Sequence, residues 1–168
     1  SSASSSSSSS SAASSSVASS SASSSTPSSS DASSSKPSDG IEMSWSTDAN
    51  GEKTLTSYTV NGAAPVGVVS LPKGVYKIGG SCFSGNKNIT QVVIPEGVTG
   101  IGYGAFYNCK SLESINFPST LKEIEGMAFN GTALKNVVLP EGITEIASST
   151  FPNCKELETV KLPRTLKY

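Results

Sequence analysis

The sequence predicts a solenoid of short β coils that follows a low-complexity N-terminal segment. Pro72 and four later prolines recur at a nearly constant interval, and Phe83 begins a phenylalanine series with the same period. An isoleucine series keeps step with both, and so many columns in phase indicate a stacked-repeat architecture. The columns are Pro72, Pro95, Pro118, Pro140 and Pro163; Phe83, Phe106, Phe129 and Phe151; and Ile78, Ile101, Ile124 and Ile146.

Residues 1–40 predict a disordered serine-rich linker. Serine occupies 26 of these positions, and only 7 of them hold a member of the hydrophobic set. A segment of this composition cannot bury enough apolar surface to offset the entropy lost on ordering. We interpret it either as a tether that holds the folded part away from a surface or as a passive linker.

Residues 41–65 predict an N-terminal β cap for the first coil, which a solenoid needs. Ile41, Met43 and Trp45 alternate with polar residues, a turn follows at 48–51, and residues 55–60 have the composition of a second strand. Asn61-Gly62 is a strong hairpin signal. We expect Trp45 to cover the apolar end of the stack.

Residues 66–168 predict about five coils, one for each repeat. An apolar triplet before each proline contains a period-2 pair, which is typical of a short strand with one face inward. Proline ends the strand because it has no N–H for the ladder, and we expect it to occupy the second position of a type I turn. A second extended piece at the isoleucine and an irregular or 3₁₀ segment at the phenylalanine then complete the coil. The triplets are Val66-Val69-Leu71, Ile89-Val92-Ile94, Leu112-Ile115-Phe117, Leu134-Val137-Leu139 and Leu157-Val160-Leu162.

One repeat is shorter than its neighbours. It lacks a residue between Thr132 and Leu134, and the apolar register returns at Val137 and Leu139. We expect a loop to absorb the deletion. At the other end the chain stops soon after Leu166, in the middle of a repeat, and we expect further repeats in the parent protein.

The repeat resembles a known family. Residues 94–118, IPEGVTGIGYGAFYNCKSLESINFP, are similar to the BspA-like leucine-rich repeat, also called the LRR_5 type, with its AF, NC and L-x-x-I elements. Cys82, Asn86, Thr132 and Thr150 depart from the pattern at small-residue columns. The resemblance covers residues 66–168 and implies a leucine-rich-repeat solenoid wound as a right-handed coil. It also implies a surface or secreted location and a role in adhesion or protein binding.

Composition argues against most chemistry. The chain has no histidine, which removes Ser–His, Cys–His and His–metal sites. The chain after the linker carries 11 acidic and 11 basic side chains, so it lacks the basic excess that nucleic acids or anionic membranes attract. No stretch is long enough to span a bilayer. We therefore expect no enzyme activity, cofactor, metal or nucleic-acid partner, and no membrane insertion.

The cysteines predict a structural role. Cys109 and Cys154 share a column with Asn86 and Thr132, and Thr132 lies on the rung between them. Two rungs at a strand spacing of about 4.8 Å separate the cysteines by roughly 10 Å, beyond the reach of a disulfide. We expect a buried polar ladder that donates to the turn backbone. Cys82 falls in a column of small residues.

Two other patterns favour structure over chemistry. The glycines of residues 100–104 lack the spacing and the following Lys-Ser/Thr of a phosphate loop. The pairs Glu123–Glu125 and Glu156–Glu158 could suggest glycoside hydrolysis, but we expect them on a repetitive solvated surface without a pocket.

The outward strand positions are the candidate binding surface. We expect a monomeric, non-catalytic, extracellular or cell-surface module that binds a protein or glycan, including a host or extracellular-matrix protein. The alternatives are a rigid spacer or an accessory domain of a larger surface enzyme. The side chains are small and mostly neutral, whereas binding hot spots favour Trp, Tyr and Arg. The candidate contacts are Gln91, Ser114, Asn136 and Thr159 in one row, continued by Val68, and Val93, Asn116, Val138 and Lys161 in the next, continued by Ser70.

Overall fold

The computed structural model describes residues 40–166, and the predicted disordered linker lies outside the described residues apart from Gly40. The described part contains eleven β-strands and no helix, and hence no helical segment that could cross a bilayer. It is a β-solenoid of about five turns, which confirms the predicted fold class. The strands are β1 (Ile41–Thr47), β2 (Lys53–Val60), β3 (Gly67–Ser70), β4 (Lys77–Ile78), β5 (Ile89–Val93), β6 (Gly100–Ile101), β7 (Ser114–Asn116), β8 (Glu123–Ile124), β9 (Asn136–Val138), β10 (Glu145–Ile146) and β11 (Thr159–Lys161).

Two ribbons of mostly parallel strands run along the stack. One is a six-stranded sheet in the order β1-β2-β4-β6-β8-β10, built mostly from the short strands at the isoleucine column. The other is formed by the strands that precede each proline, as β3-β5-β7 and then β9-β11. Successive rungs pair in the register that the period of the repeat requires, for example Ile78 with Ile101 and Val92 with Ile115.

The cap is an antiparallel hairpin of β1 and β2, with a register shift between Ser44 and Trp45. Trp45 packs half-buried against the core, and the Nζ of Lys53 lies 4.8 Å from its ring centroid. On its other edge β2 pairs parallel with β4, so that Leu55 is opposite Ile78. The cap hairpin therefore joins directly onto one ribbon of the solenoid.

Stacked phenylalanines fill the centre of the coil. Phe106 lies nearly parallel to Phe83, with ring centroids 5.2 Å apart, and nearly parallel to Phe129 at 5.4 Å. Phe151 continues the stack at 5.3 Å from Phe129, and Tyr58 of the cap meets Phe83 at 5.8 Å. Phe106 and Phe129 are each covered by a ring on both sides, so the apolar area of a repeat is buried only when its neighbours are present.

The turn after each proline differs from the predicted one. Backbone hydrogen bonds run from Leu121 N to Pro118 O and from Ile143 N to Pro140 O, so proline is the first residue of the turn and not the second. Gly74 and Gly97 occupy the third position with positive φ, as a type II turn requires. Thr120 takes the same position without positive φ, so the turn type varies between rungs.

Two further columns have left-handed backbone. The residues two before and two after each core phenylalanine all have φ between 56° and 75°. Glycine and asparagine tolerate this conformation well, whereas serine and methionine adopt it at a cost. The irregular segment is thus a repeated turn with two fixed left-handed positions. The first column is Ser81, Gly104, Met127 and Ser149, and the second is Gly85, Asn108, Gly131 and Asn153.

The first apolar triplet is not arranged as predicted. Gly67, not Val66, is paired with Ile89, and the register shifts between Gly67 and Val68. Gly67 has a φ of 75°, which only glycine adopts readily. Val66 is consequently turned out of the core and is 71% exposed, whereas Val69 and Leu71 are buried as expected.

Candidate functional site: the exposed strand face

The strands that precede the prolines present two rows of outward side chains, which we call the strand face. Val68 is opposite Gln91, Gln91 opposite Ser114, and Asn136 opposite Thr159. The next row has the same registration, and all ten residues are exposed. The predicted rows are therefore present, one residue per rung. The second row consists of Ser70, Val93, Asn116, Val138 and Lys161.

The short repeat interrupts this face. Among the described residues no ladder pairing joins β7 to β9, so the ribbon divides into a three-stranded and a two-stranded sheet. On the opposite ribbon β8 and β10 pair without interruption. Val137 and Leu139 are buried, so the apolar register returns as expected after the short repeat, although β7 and β9 belong to separate sheets. The strand face consequently has a discontinuity between Ser114 and Asn136.

Exposed valines add apolar surface to the strand face. Val68 is 60% exposed, Val138 is 61% exposed and Val93 is 36% exposed. Val66, which immediately precedes β3, is exposed as well. The spacing of the repeat assigns Val66 to the core, so its exposure could not be predicted from the period. Exposed apolar side chains such as these can contribute to an interaction site.

Asn116 has a structural role that its spacing did not reveal. Its side-chain Oδ1 accepts a hydrogen bond from Ile94 N at 2.7 Å, and its Nδ2 donates to Ile94 O at 2.9 Å. The amide therefore completes the backbone hydrogen bonding of the neighbouring strand where that strand ends at a proline. Asn116 remains exposed, and these two bonds leave one Nδ2 hydrogen and one Oδ1 lone pair that can face a partner.

The strand face is nearly neutral. Lys161 is the only charged residue in its two rows. At the edge, Lys135 Nζ and Glu113 Oε2 form an ion pair at 3.1 Å, and both side chains are about half exposed. An exposed pair of this kind contributes little to stability, about 0–1 kcal/mol. A partner would meet amides, hydroxyls and valines here, with no strong field to attract it.

The buried polar ladder lies behind this face, as predicted. Asn86 Nδ2 donates to Pro65 O at 2.9 Å, and the thiols of Cys109 and Cys154 donate to Phe83 O and Phe129 O at 3.1 and 3.0 Å. Burial raises the pKa of Cys109 to about 12, which the backbone N–H of Asn86 opposes only in part. All three cysteines are free thiols.

The glycine-rich segment and the glutamates have structural partners. A Cβ on Gly102 would lie 2.6 Å from Gly80 N, so only glycine permits the approach of the two rungs. Glu123 forms an ion pair with Lys77, and Glu125 Oε2 accepts a hydrogen bond from Tyr103 N at 2.9 Å. Within residues 40–166 no three His, Cys, Asp or Glu residues are grouped so that they could hold a metal ion.

Comparison with known families shows what this geometry is similar to. The family model described as the BspA type leucine rich repeat region matches residues 53–168 in six copies. The matched region begins with β2, consistent with the position of Leu55, one period before Ile78. A search of the curated proteins finds no match.

Solved structures share the fold. A leucine-rich repeat protein from Bacteroides capillosus is 23% identical with a TM-score of 0.61, and the alignment covers 75% of this chain and 94% of that one. The T. pallidum leucine rich repeat protein is 25% identical with a TM-score of 0.57, over 76% of this chain and 71% of that one. A leucine rich cell surface protein from Faecalibacterium prausnitzii is 28% identical with a TM-score of 0.57, over 79% and 43% of the two chains.

Proposed function

The chain belongs to the BspA-type leucine-rich repeat family, and from this premise we propose that it is a non-catalytic module that binds a protein partner at an extracellular or cell surface. A leucine-rich repeat module of this kind has a binding or structural role. Similarity to a cell surface protein of Faecalibacterium prausnitzii supports the location. Residues 1–40 act as the tether, residues 41–65 as the cap and residues 66–168 as the repeat array.

The observation that carries the proposal is the apolar character of the strand face. Val68 and Val138 each leave about three fifths of their surface exposed although they lie beside fully buried strand residues. Between them lie the amides of Gln91 and Asn136, which can hydrogen-bond to a partner. A neutral surface of valines and amides fits an uncharged protein patch or the hydroxyls of a glycan, with the protein as the primary candidate.

A rigid spacer is the second candidate, and the role of Asn116 favours it. That amide is used to join neighbouring rungs, as expected if outward residues serve the stiffness of the rod. The rows also lack the Trp, Tyr and Arg residues that usually dominate binding energy. In this alternative the surrounding protein supplies the binding part.

Binding measurements on the 168-residue chain separate the two. We would immobilise it and measure binding to a panel of extracellular-matrix proteins and glycans, with Gln91→Glu/Asn136→Glu as the test variant. Asn116 is left unchanged because its replacement would also break two backbone contacts. The matched control is Ser84→Glu/Thr144→Glu, which adds the same charge at exposed positions outside the strand face.

Two results decide between the candidates. Binding to a protein of the panel that weakens more than tenfold in the test variant, and less than twofold in the control, supports recognition by the strand face. An intact circular dichroism spectrum together with no binding across the panel contradicts it and favours the spacer.

A further inference from the structure

A notch beside the strand face originates in the short repeat. At this place Gly131 and Ala133 stand where the rungs on either side carry asparagine and lysine. The missing residue and the two small side chains leave a depression of about 330 Å³. This volume is at the small end of the range for ligand pockets, roughly 300–1,000 Å³. The lining residues are Asn108, Lys110, Gly131, Thr132, Ala133, Asn153, Lys155 and Glu156.

The walls of the notch are two equivalent segments from rungs that are not adjacent. Asn108 and Lys110 form one wall, and Asn153 and Lys155 form the other, two rungs further along. Both asparagines have left-handed backbone, with φ of 56° and 57°, which fixes the two segments in the same conformation. Asn153 Nδ2 donates to Asn130 Oδ1 at 3.1 Å, so its Oδ1 is the atom that can accept from a ligand. The wall residues therefore face the gap from both sides with the same pair of functional groups.

Charge in the notch is unbalanced. The ion pairs within residues 40–166 are Lys77–Glu123 and Lys135–Glu113, so neither Lys110 nor Lys155 is neutralised by an ion pair there. Glu156 contributes one carboxylate to the lining. Two ammonium groups can hold an anion between them by charge-assisted hydrogen bonds. Asparagine amides and the remaining carboxylate can serve neighbouring hydroxyl groups.

We propose that the notch binds an acidic sugar unit of an anionic glycan, with Lys110 and Lys155 holding its carboxylate or sulfate group. The asparagine amides and Glu156 contact the sugar hydroxyls. An acidic peptide fits less well because the lining has no large apolar or aromatic side chain to anchor a peptide.

The chain provides a matched control for the lysines. Lys87 occupies the same column on an earlier rung, and it does not line the notch. We would measure binding of the full chain and its variants to heparin oligosaccharides, oligogalacturonate and maltooligosaccharides, and to poly-glutamate. Oligogalacturonate carries carboxylates alone whereas heparin carries sulfates as well, so binding to heparin without binding to oligogalacturonate would identify sulfate as the recognised group. Lys110→Gln/Lys155→Gln removes both charges, and Lys87→Gln removes one outside the notch.

The expected result is binding to at least one acidic saccharide that falls about tenfold or more in Lys110→Gln/Lys155→Gln and less than twofold in Lys87→Gln. Ala133→Glu, which places a carboxylate on the floor without altering the walls, should abolish it. Equal losses in Lys87→Gln and the double variant would mean diffuse attraction and would overturn the proposal. Three other results would also overturn the proposal. They are tighter binding to poly-glutamate than to any acidic saccharide, binding to maltooligosaccharides that is as tight as binding to acidic saccharides, and no binding to any acidic saccharide. The notch shares no residue with the strand face, so failure here leaves the proposed function untouched.

Discussion

Phe129→Leu tests whether the phenylalanine stack holds successive rungs together. Phe129 is fully buried and lies between Phe106 and Phe151, nearly parallel to both. Phe117 meets it edge-on, with ring centroids 5.7 Å apart and planes at 88°. Leucine keeps most of the apolar volume but cannot form aromatic pairs. The substitution therefore isolates the part of the interaction that depends on stacked rings.

The three pairs set the magnitude. An aromatic pair contributes about 0.5–1.5 kcal/mol beyond the burial of its area, so the loss of three should lower the free energy of unfolding by roughly 1.5–4.5 kcal/mol. Phe151 has one stacking partner in the described stack and is half-buried. Phe151→Leu should accordingly cost about 0.5–1.5 kcal/mol, and it serves as the matched control.

Urea unfolding of the full chain measures both values. Circular dichroism follows the strands, while the fluorescence of Trp45, the only tryptophan, follows the cap. Coincident transitions would justify a single free energy of unfolding. If Phe129→Leu costs less than about 1 kcal/mol, or no more than Phe151→Leu, the rings do not couple the rungs and the reasoning fails.

Three further substitutions or treatments have definite expected outcomes. Gly102→Ala should lower the free energy of unfolding by about 1–3 kcal/mol because the new Cβ would press on the Gly80 backbone. In Gly100→Ala the new Cβ would meet only side chains that can move, so this variant should cost less. Thermal melts of the two variants compare these costs. Ser149→Gly should stabilise the fold by about 0.5–1 kcal/mol because Ser149 has a φ of 60°, which glycine adopts at less cost than serine. Ser148→Gly is the control and should not stabilise the fold. A higher urea midpoint for Ser148→Gly than for Ser149→Gly would contradict the assignment of a left-handed position to Ser149. The pKa of Cys109 is raised by burial from 9.0 to about 12, so its share of stability is present below pH 9 and is lost as pH rises toward 12. Urea midpoints of Cys109→Ser and of the unchanged chain, measured across this pH range, check the stability that Cys109 contributes. The Cys109 thiol of the native protein should also react slowly with a disulfide reagent at pH 8.

The columns of the repeat could be predicted because one period imposes the same environment on every rung. Residues one period apart, such as Ile78 and Ile101, are paired directly in the structure. The same rule could have identified Leu55 as the preceding member of this column, since it lies one period before Ile78. Leu55 also fits the strand that precedes the Asn61-Gly62 hairpin signal, so the local pattern and the period of the repeat both account for it.

Local backbone geometry could not be predicted from the period. The bulge at Gly67 exposes Val66 although the spacing assigns Val66 to the core, because pairing with Ile89 shifts by one residue. The left-handed columns could not be predicted because serine and methionine, which seldom adopt positive φ, occupy some of their positions. Backbone hydrogen bonding determines both the bulge and the left-handed positions, and side-chain types alone do not specify that hydrogen bonding.

The candidate binding surface was predicted in part. Strand alternation placed the rows of Gln91 and Val93 outward, and the pairing confirms their register. The hydrogen bonds of Asn116 to Ile94 depend on the proline that ends the neighbouring strand, a contact between rungs that spacing does not specify. The notch likewise depends on how rungs pack around a shortened repeat.

Removal of one complete rung is the most direct test of the central claim, that the chain is a stack of equivalent coils stabilised by their neighbours. Deletion of residues 95–117 joins Ile94 to Pro118 and keeps every column in register. We predict a shorter protein with the same strand signature and a cooperative unfolding transition. Deletion of only residues 95–105 should abolish that transition because the columns fall out of phase. Loss of folding in both deletions, or its retention in both, would contradict the account.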